Sequence, residues 1–410
     1  MKLSLTHLIS ARLMGAASMV LAACLAACGG GTSVAGNPGS GGTGSYSSGA
    51  VSGFGSVILN NTRFADTSAT VVNEDGETTD ADKGALTTTS LKMGMIIDVD
   101  GGTVTASTVS GGLSSSTAHT IRYTNLIQGP VDSIDSTNIT MLGQSVDVNA
   151  ATVYEGVSSL AEASSSNCAY AEVYAFFNSA TLRYSATRIE CLGSQPATYR
   201  LFGPVSSLNS SASSFSINGL NIRYSGLSLP SGVQNGTVVH LRISTAWTSG
   251  NTAQATRLAI SSKAGQQSKA SAAVEGLITA YVSKYSFTVN GVPVTASSST
   301  EFETETLANG SRVKVEGKLS NGVLAAKQVE EISDTDLEDA GQEVIGTVSN
   351  LDSTGKSFSL TTSSGRLFTV NYASVVDAPT LANGLKLEVE GKVASDGTTI
   401  TASELELGDD

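Results

Sequence analysis

The sequence is poor in aromatic residues, in basic residues and in the side chains that most often perform enzyme chemistry. Of 410 residues, 5% are aromatic, with one tryptophan, and only three are histidine. Acidic residues outnumber Lys and Arg by 36 to 23, which gives a formal net charge of −13. Such a chain repels the phosphate backbone, so we expect no nucleic-acid partner.

Motifs for catalysis or cofactor binding are also missing. The sequence contains no Gly-x-Ser-x-Gly elbow, no His-Glu-x-x-His metal motif and no phosphate-binding loop. His119 and His240 fall in different repeats, so they cannot be grouped with a nucleophile as a catalytic set. We therefore expect a protein that is not an enzyme and that needs no cofactor or metal.

The first 28 residues have the features of a targeting segment. Lys2 and Arg12 accompany an apolar stretch, and Leu-Ala-Ala-Cys follows twice, ending at Cys24 and at Cys28. This tetrapeptide resembles the lipobox of bacterial lipoproteins, whose cysteine is lipidated after cleavage. We favour Cys28, because a glycine run follows it and cleavage before Cys24 would leave an odd thiol.

The residue after Cys28 is not Asp, and the resemblance therefore implies the outer membrane, on its periplasmic or its outer face, with the lipid as the membrane contact. Residues 29–50 are rich in Gly and Ser and predict a flexible tether. Beyond it, no stretch is long and apolar enough to span a bilayer.

The remaining cysteines, Cys168 and Cys191, lie symmetrically about Asn178-Ser179-Ala180, which we predict to be a hairpin turn. Symmetric pairing would place them opposite each other, within reach of a disulfide. A redox site is the alternative, but the Cys-x-x-Cys motif is absent.

A unit of about 70 residues occurs five times. Its first anchor is Gly-x-Val/Ile, beginning at Gly55, Gly129, Gly203, Gly276 and Gly346. Its second anchor is a glycine before an alternating apolar run, at Gly94, Gly236, Gly310 and Gly384. Its third is Ala-x-x-apolar, beginning at Ala106, Ala186, Ala255, Ala326 and Ala402. Regular repetition of this kind indicates tandem modules.

Each unit predicts about five short antiparallel strands. Alternation such as that of residues 312–316 is typical of a strand with one buried face. Asn218-Gly219, Asn290-Gly291, Asn321-Gly322 and Asp396-Gly397 predict tight hairpin turns.

The predicted fold is therefore all-β, with five small OB-like barrels that each close their own apolar interior; a small open sandwich is the alternative. The domain limits we predict are 1–28 for the signal peptide, 29–50 for the tether, and 51–125, 126–197, 198–262, 272–331 and 341–410 for the modules.

Two charged segments are candidates for binding. Module 1 carries an acidic insert from Glu74 to Asp82, which predicts a solvated loop, with a calcium loop as the alternative. Module 3 has four arginines and no acidic residue. Its Arg223, His240, Arg242 and Trp247 are candidates for an anionic sugar or acid ligand, but we favour docking of this basic module against acidic neighbours, or a plain surface, over a ligand site.

The lipobox and several repeated segments resemble bacterial lipoproteins with domain of unknown function 5666. The segments are 51–57, 91–95, 143–148 and 186–189, and the resemblance is clearest in the first two modules. Module 3 departs most, with Ile243 where other modules have Gly101, Gly317 or Gly391. The family has no assigned activity, so the resemblance implies fold and location alone.

The function we predict is a non-enzymatic, membrane-anchored envelope protein whose modules form a binding or spacer array, with a protein or glycan partner. A receptor for an anionic ligand through module 3 is the first alternative, and an envelope hydrolase is the second. The sequence leaves open the oligomeric state and whether the modules pack rigidly or hang as beads.

Overall fold

The computed structural model of the protein describes residues 44–108, 112–124, 127–250, 252–260, 267–304, 306–339 and 341–408. The predicted signal peptide, its lipidation residue Cys28 and most of the predicted tether lie outside these residues. All described residues belong to one compact unit that spans Ser40–Asp410.

The described chain is almost entirely β-structure, and its strands form five successive modules. Module 1 contains β1 Ser45–Ala50, β2 Gly53–Phe54, β3 Val57–Leu59, β4 Thr62–Ala65, β5 Thr70–Val72, β6 Thr79–Asp80, β7 Gly84–Ala85, a 3₁₀ turn at Thr88–Ser90, β8 Ile96–Gly101 and β9 Ser114–Tyr123. Module 2 contains β10 Ile127–Ile134, β11 Asn138–Met141, β12 Gln144–Asp147, β13 Val153–Glu155, a 3₁₀ turn at Leu160–Glu162, β14 Tyr170–Asn178 and β15 Arg183–Leu192.

The C-terminal half continues the pattern. Module 3 contains β16 Tyr199–Pro204, β17 Ser206–Asn209, β18 Ser214–Ile217, β19 Leu220–Arg223, β20 Val238–Ile243 and β21 Ala253–Ile260. Module 4 contains β22 Lys269–Ser283, β23 Ser286–Val289, β24 Val292–Thr295, β25 Glu301–Phe302, β26 Arg312–Ser320 and β27 Val323–Glu331, and helix α1 Asp334–Asp339 follows it. Module 5 contains β28 Gln342–Asp352, β29 Ser357–Thr361, β30 Leu367–Asn371, β31 Lys386–Val393 and β32 Thr399–Leu407.

Strand pairing closes each module into a small barrel, which confirms the predicted OB-like fold. In module 4, β22 pairs with β23, β23 with β24, β24 with β27 in parallel, β27 with β26, and β26 with β22. Module 5 repeats the circuit through β28, β29, β30, β32 and β31. In modules 1 and 3 the first strand is divided into two pieces, β1 with β2 and β16 with β17.

The predicted turns are confirmed except for one. Asn218, Asn290 and Asn321 have φ of 44°, 48° and 49°, and the glycine after each also has positive φ, as a type I′ turn requires. In Asp396-Gly397 only the glycine has positive φ, because five residues separate β31 from β32 and the chain forms a wider loop.

A register shift in the fourth strand recurs in all five barrels. It falls at Gly101, Ala175, Ile243, Gly317 and Gly391, and an alanine of the fifth strand stands opposite each: Ala118, Ala186, Ala255, Ala326 and Ala402. A Cβ added to Gly317 would lie 2.0 Å from the carbonyl oxygen of Ala325. The backbones therefore approach too closely there for a larger residue.

A second repeated feature involves asparagines that the sequence analysis did not single out. Asn235, Asn309 and Asn383 immediately precede the second anchor glycine. Their side-chain oxygens accept hydrogen bonds from the backbone N–H groups of Leu208, Tyr281 and Leu351 at 2.8–3.0 Å. Each of these N–H groups follows a residue with positive φ in the first strand, so the asparagine secures the bend that closes the barrel.

Module 1 begins earlier than the sequence predicts. The N–H of Gly94 donates to the carbonyl of Val51 at 2.9 Å, as Gly310 does to Ile278 and Gly384 to Val348. The first anchor is therefore Gly49-Ala50-Val51, and the placement at Gly55 is wrong.

The predicted tether is consequently wrong for residues 45–50. These residues form β1, which pairs with β8 on one edge and with β22 of module 4 on the other, and Tyr46 is buried. The third anchor of this module is Ala118, which faces Gly101, and not Ala106.

The modules contact one another, including modules that are distant in the sequence. Module 1 pairs in parallel with module 4 through β1 and β22 and with module 5 through β2 and β28, while β10 joins module 2 to β16 of module 3. One apolar cluster contains the cores of modules 1 and 5, a second contains those of modules 2 and 3, and a third belongs mainly to module 4. Each barrel is closed by its own strands, but the apolar cores of modules 1 and 5 are continuous with each other, as are those of modules 2 and 3.

Candidate functional site

The arginines of module 3 form a row across three strands. Arg200 on β16 is opposite Arg242 on β20, which in turn is opposite Arg257 on β21. Like charges directly opposite each other in a sheet are destabilising unless other groups neutralise them.

The acidic segment of module 1 supplies that neutralisation. The Arg200 guanidinium lies 3.0 Å from Glu74 and 2.5 Å from Asp80. Asp75 lies 2.5 Å from Arg242 and 3.1 Å from Arg257, and both arginines also reach Glu77. The segment predicted to be a solvated loop therefore covers module 3.

The ion pairs at the centre of this junction are buried, and burial strengthens the attraction between their charges. The side chains of Arg200 and Asp80 are 3% and 1% exposed. Burial alone would raise the pKa of Asp80, but the charge and hydrogen bonds of Arg200 outweigh it, so that the pKa lies below its usual value. Burial raises the pKa of Glu74 more than Arg200 lowers it. The pKa of Arg200 is raised, because Glu74 and Asp80 overcome the opposing effect of its burial.

A lysine extends the junction to module 2. The Lys83 ammonium lies 2.7 Å from the Glu172 carboxylate, and Tyr174 donates to the same carboxylate at 2.8 Å. Tyr123 donates to Asp80 at 3.2 Å. Burial is the main reason why the pKa values of both tyrosines lie above their usual value, so the two hydroxyls remain donors.

The predicted ligand residues of module 3 do not form one open site. Arg242 is engaged with module 1, and Trp247 is 7% exposed within the shared core of modules 2 and 3. The His240 ring packs 4.7 Å from the ring of Phe202. Arg223 is exposed on β19, opposite Ser214. The arrangement thus matches the docking alternative.

Calcium binding by the acidic segment finds no support either, because arginines occupy its carboxylates. In the described part of the chain, no group of three or more His, Cys, Asp or Glu residues is arranged to hold a metal ion.

A second polar junction joins modules 1 and 2. Lys92 of module 1 lies 2.6 Å from Glu155 and 3.0 Å from Glu190. Arg188, which is 1% exposed, also pairs with both carboxylates and donates to the carbonyl of Met93 at 3.2 Å. This five-group arrangement is structural, since each charge is satisfied by a neighbour.

The predicted disulfide between Cys168 and Cys191 is confirmed, with 4.8 Å between the Cα atoms. The two residues are not direct strand partners as predicted. Cys191 stands opposite Ala171, because the turn lies at residues 179–182, later than predicted, and a register shift at Tyr174 and Ala175 adds to the displacement. Cys168 lies just before β14. The bond therefore ties a loop to β15.

Three of the five barrels match one family model. The model of the domain of unknown function DUF5666 matches residues 128–190, 275–330 and 345–406. Modules 2, 4 and 5 are thus each similar to this domain, as expected of a DUF5666-like tandem-repeat protein. The expectation that the resemblance is clearest in modules 1 and 2 is therefore right for module 2 alone.

Other comparisons add little. No curated protein matches the chain. A solved structure titled "drosophila Unr CSD456" matches at 12% identity, over 52% of this chain and 98% of that one, with a TM-score of 0.13. No helix in the described part of the chain is long and apolar enough to cross a bilayer.

Proposed function

We propose that the protein is a non-enzymatic lipoprotein of the bacterial envelope, anchored through Cys28, whose DUF5666-like modules and their two companions form a rigid binding or spacer scaffold. The observation that supports a scaffold is the position of module 1, whose strands pair with modules 4 and 5 while its charges engage modules 2 and 3. Modules that were joined only by flexible linkers would not make such contacts with one another.

The charge clusters support the same reading. Catalytic groups need access to a substrate, whereas Arg200, Asp80 and Arg188 are buried and pair with other side chains. Buried ion pairs of this kind fix the relative placement of the elements that carry them.

The anchor is tested by labelling cells with an alkyne fatty acid. We expect the full chain and its Cys24→Ala variant to carry the label in the membrane fraction, and Cys28→Ala to lose both label and membrane association. Retention of label by Cys28→Ala would contradict the assignment.

The absence of turnover is tested with the purified chain. We expect no hydrolysis of glycan, peptide or ester panels above the buffer rate. Turnover that every surface variant retains and that co-purifies with the protein would contradict the proposed non-enzymatic scaffold.

A further inference from the structure

A cleft lies at the meeting point of modules 1, 2 and 4, beside α1. Its volume is about 380 Å³, and a second recess of about 240 Å³ continues from it between modules 2 and 4. Asn149, Arg312, Ile332 and Leu337 line both parts, so they form one elongated space. A concave space of this size with convergent polar groups is the usual form of a small-molecule site.

The cations of the main cleft are already neutralised. Arg312 donates from Nε and Nη2 to one oxygen of Glu275 at 3.0 and 2.5 Å, and it packs 5.2 Å from the ring of Phe176. Lys314 lies 2.5 Å from Glu330. These two pairs leave no spare positive charge with which to attract an anion.

Two further carboxylates, Glu331 and Asp336, line the same cleft, and neither has an ion-pair partner among the described residues. Asp336 accepts hydrogen bonds from the N–H and the hydroxyl of Ser333 at 2.7 and 2.6 Å. These bonds hold its pKa below the usual value, so the group is ionised at neutral pH. The cleft therefore carries two negative charges in excess.

The remaining lining is partly apolar. Val51, Val153, Ile332 and Leu337 provide aliphatic surface, and the amides of Asn61 and Gln342 lie at the same cleft. A space this large does not suit a bare metal ion, which needs ligands close around it. Aliphatic walls beside unpaired carboxylates suit an ammonium group on a short hydrocarbon chain.

We propose that this cleft binds a small aliphatic amine or diamine, with its ammonium groups at Glu331 and Asp336 and its methylene groups against the aliphatic wall. The site is independent of the lipid anchor, so either proposal can fail alone.

The test is calorimetric titration of the full chain, in detergent and at low salt, with 1,4-diaminobutane. We expect saturable binding at one site, and no binding of 1,4-butanediol, which has the same length but no charge. Glu331→Gln and Asp336→Asn should each weaken binding roughly three- to tenfold. Glu301→Gln removes an exposed carboxylate of the same module outside the cleft and should leave the affinity unchanged.

Three results would overturn the proposal: no saturable binding to the full chain, equal binding of the diol, or an equal loss of affinity in Glu301→Gln. Asp336→Asn also alters the contact with Ser333 at α1, so the affinity of the Glu331→Gln variant is the deciding measurement. Thermal melting checks that each variant is folded.

Discussion

At the scale of single residues, Arg200 is the charge on which the junction of modules 1 and 3 depends most. It is nearly inaccessible to water and stands beside another arginine in the sheet, and the carboxylates of Glu74 and Asp80 neutralise its buried charge. The outer pairs differ, since Arg257 and Glu77 are each 44% exposed and are screened by solvent.

Replacing Arg200 with Met should lower the free energy of unfolding by about 3–5 kcal/mol, because two buried carboxylates lose their partner. Arg223→Met, at an exposed position of the same module, should change it by less than about 0.5 kcal/mol. Chemical denaturation of both variants measures the difference. Similar effects of the two substitutions would contradict the buried role of Arg200.

Glu343 gives the stability a dependence on pH. Burial first, and then the charges of Glu388 and Glu390, raise its pKa from 4.5 to about 7. The folded state therefore holds this proton more tightly than the unfolded state does. The stabilisation linked to this group is complete below about pH 4.5 and is lost as the pH rises through about 7.

Glu343→Gln should accordingly raise the free energy of unfolding by about 1–2 kcal/mol at pH 8 and change it little at pH 4, after allowance for partial solvent screening. Unfolding curves of the variant and the parent at both pH values provide the check. A gain of equal size at pH 4 would show that the carboxylate is not protonated in the folded state.

The sequence predicts the disulfide of Cys168 and Cys191, because two cysteines about a turn admit few arrangements. It does not predict that Arg242 is covered, because its exposure depends on Asp75, which lies more than 150 residues earlier in the chain. Nor does it predict that Trp247 is buried, because the core that covers it is shared between two modules. The positive charge of module 3 can be read from the sequence, but the sequence does not identify the acidic segment of module 1 as the group that neutralises it.

At the scale of strands, the glycine of the fourth-strand register shift leaves no room for a side chain in modules 4 and 5. Besides the contact at Gly317, a Cβ on Gly391 would lie 2.3 Å from the carbonyl oxygen of Thr401. Contacts this short require the backbone to move, since real Cβ atoms do not approach an oxygen so closely.

Gly317→Ala should therefore lower the free energy of unfolding by at least about 2 kcal/mol. Gly193→Ala is the matched control, because its added Cβ would meet no atom within 4 Å and its φ is not positive. Chemical denaturation again measures both. Equal stability of the two variants would mean that the close approach at Gly317 relaxes at no cost.

Strand positions could be predicted from the sequence wherever only one segment fits each anchor pattern, as in modules 4 and 5. Module 1 offers two candidate triplets, Gly49-Ala50-Val51 and Gly55-Ser56-Val57, and even spacing favoured the wrong one. The hydrogen bond from Gly94 to Val51 distinguishes them, and a linear sequence does not contain it. Similarly, the third anchor of module 1 was predicted at Ala106 and lies at Ala118, because a long connection precedes β9.

At the scale of the whole molecule, the contacts between modules differ in their sensitivity to salt. Exposed pairs such as Arg257 and Glu77 are screened, whereas strand pairing and buried apolar clusters are not. The order of modules in space could not be predicted, because backbone hydrogen bonds between β1 and β22 leave no pattern in the side chains.

We expect the radius of gyration from small-angle X-ray scattering to remain constant between 0.05 and 0.5 M NaCl, since the non-ionic contacts suffice to hold the modules together. Arg200→Met removes a buried ionic contact but leaves the strand pairing between modules in place, so its radius of gyration should equal that of the parent chain. Expansion of the parent chain with added salt would show that charge alone holds the modules.

The pairing of Ser45 with Ser271 has a consequence for biosynthesis. The earliest strand of the first barrel keeps one edge uncovered until the ribosome has made the segment that completes it, more than halfway through the polypeptide. An open strand edge recruits other chains. We therefore expect a nascent molecule of this protein to be more prone to aggregation before β22 has been made than after it.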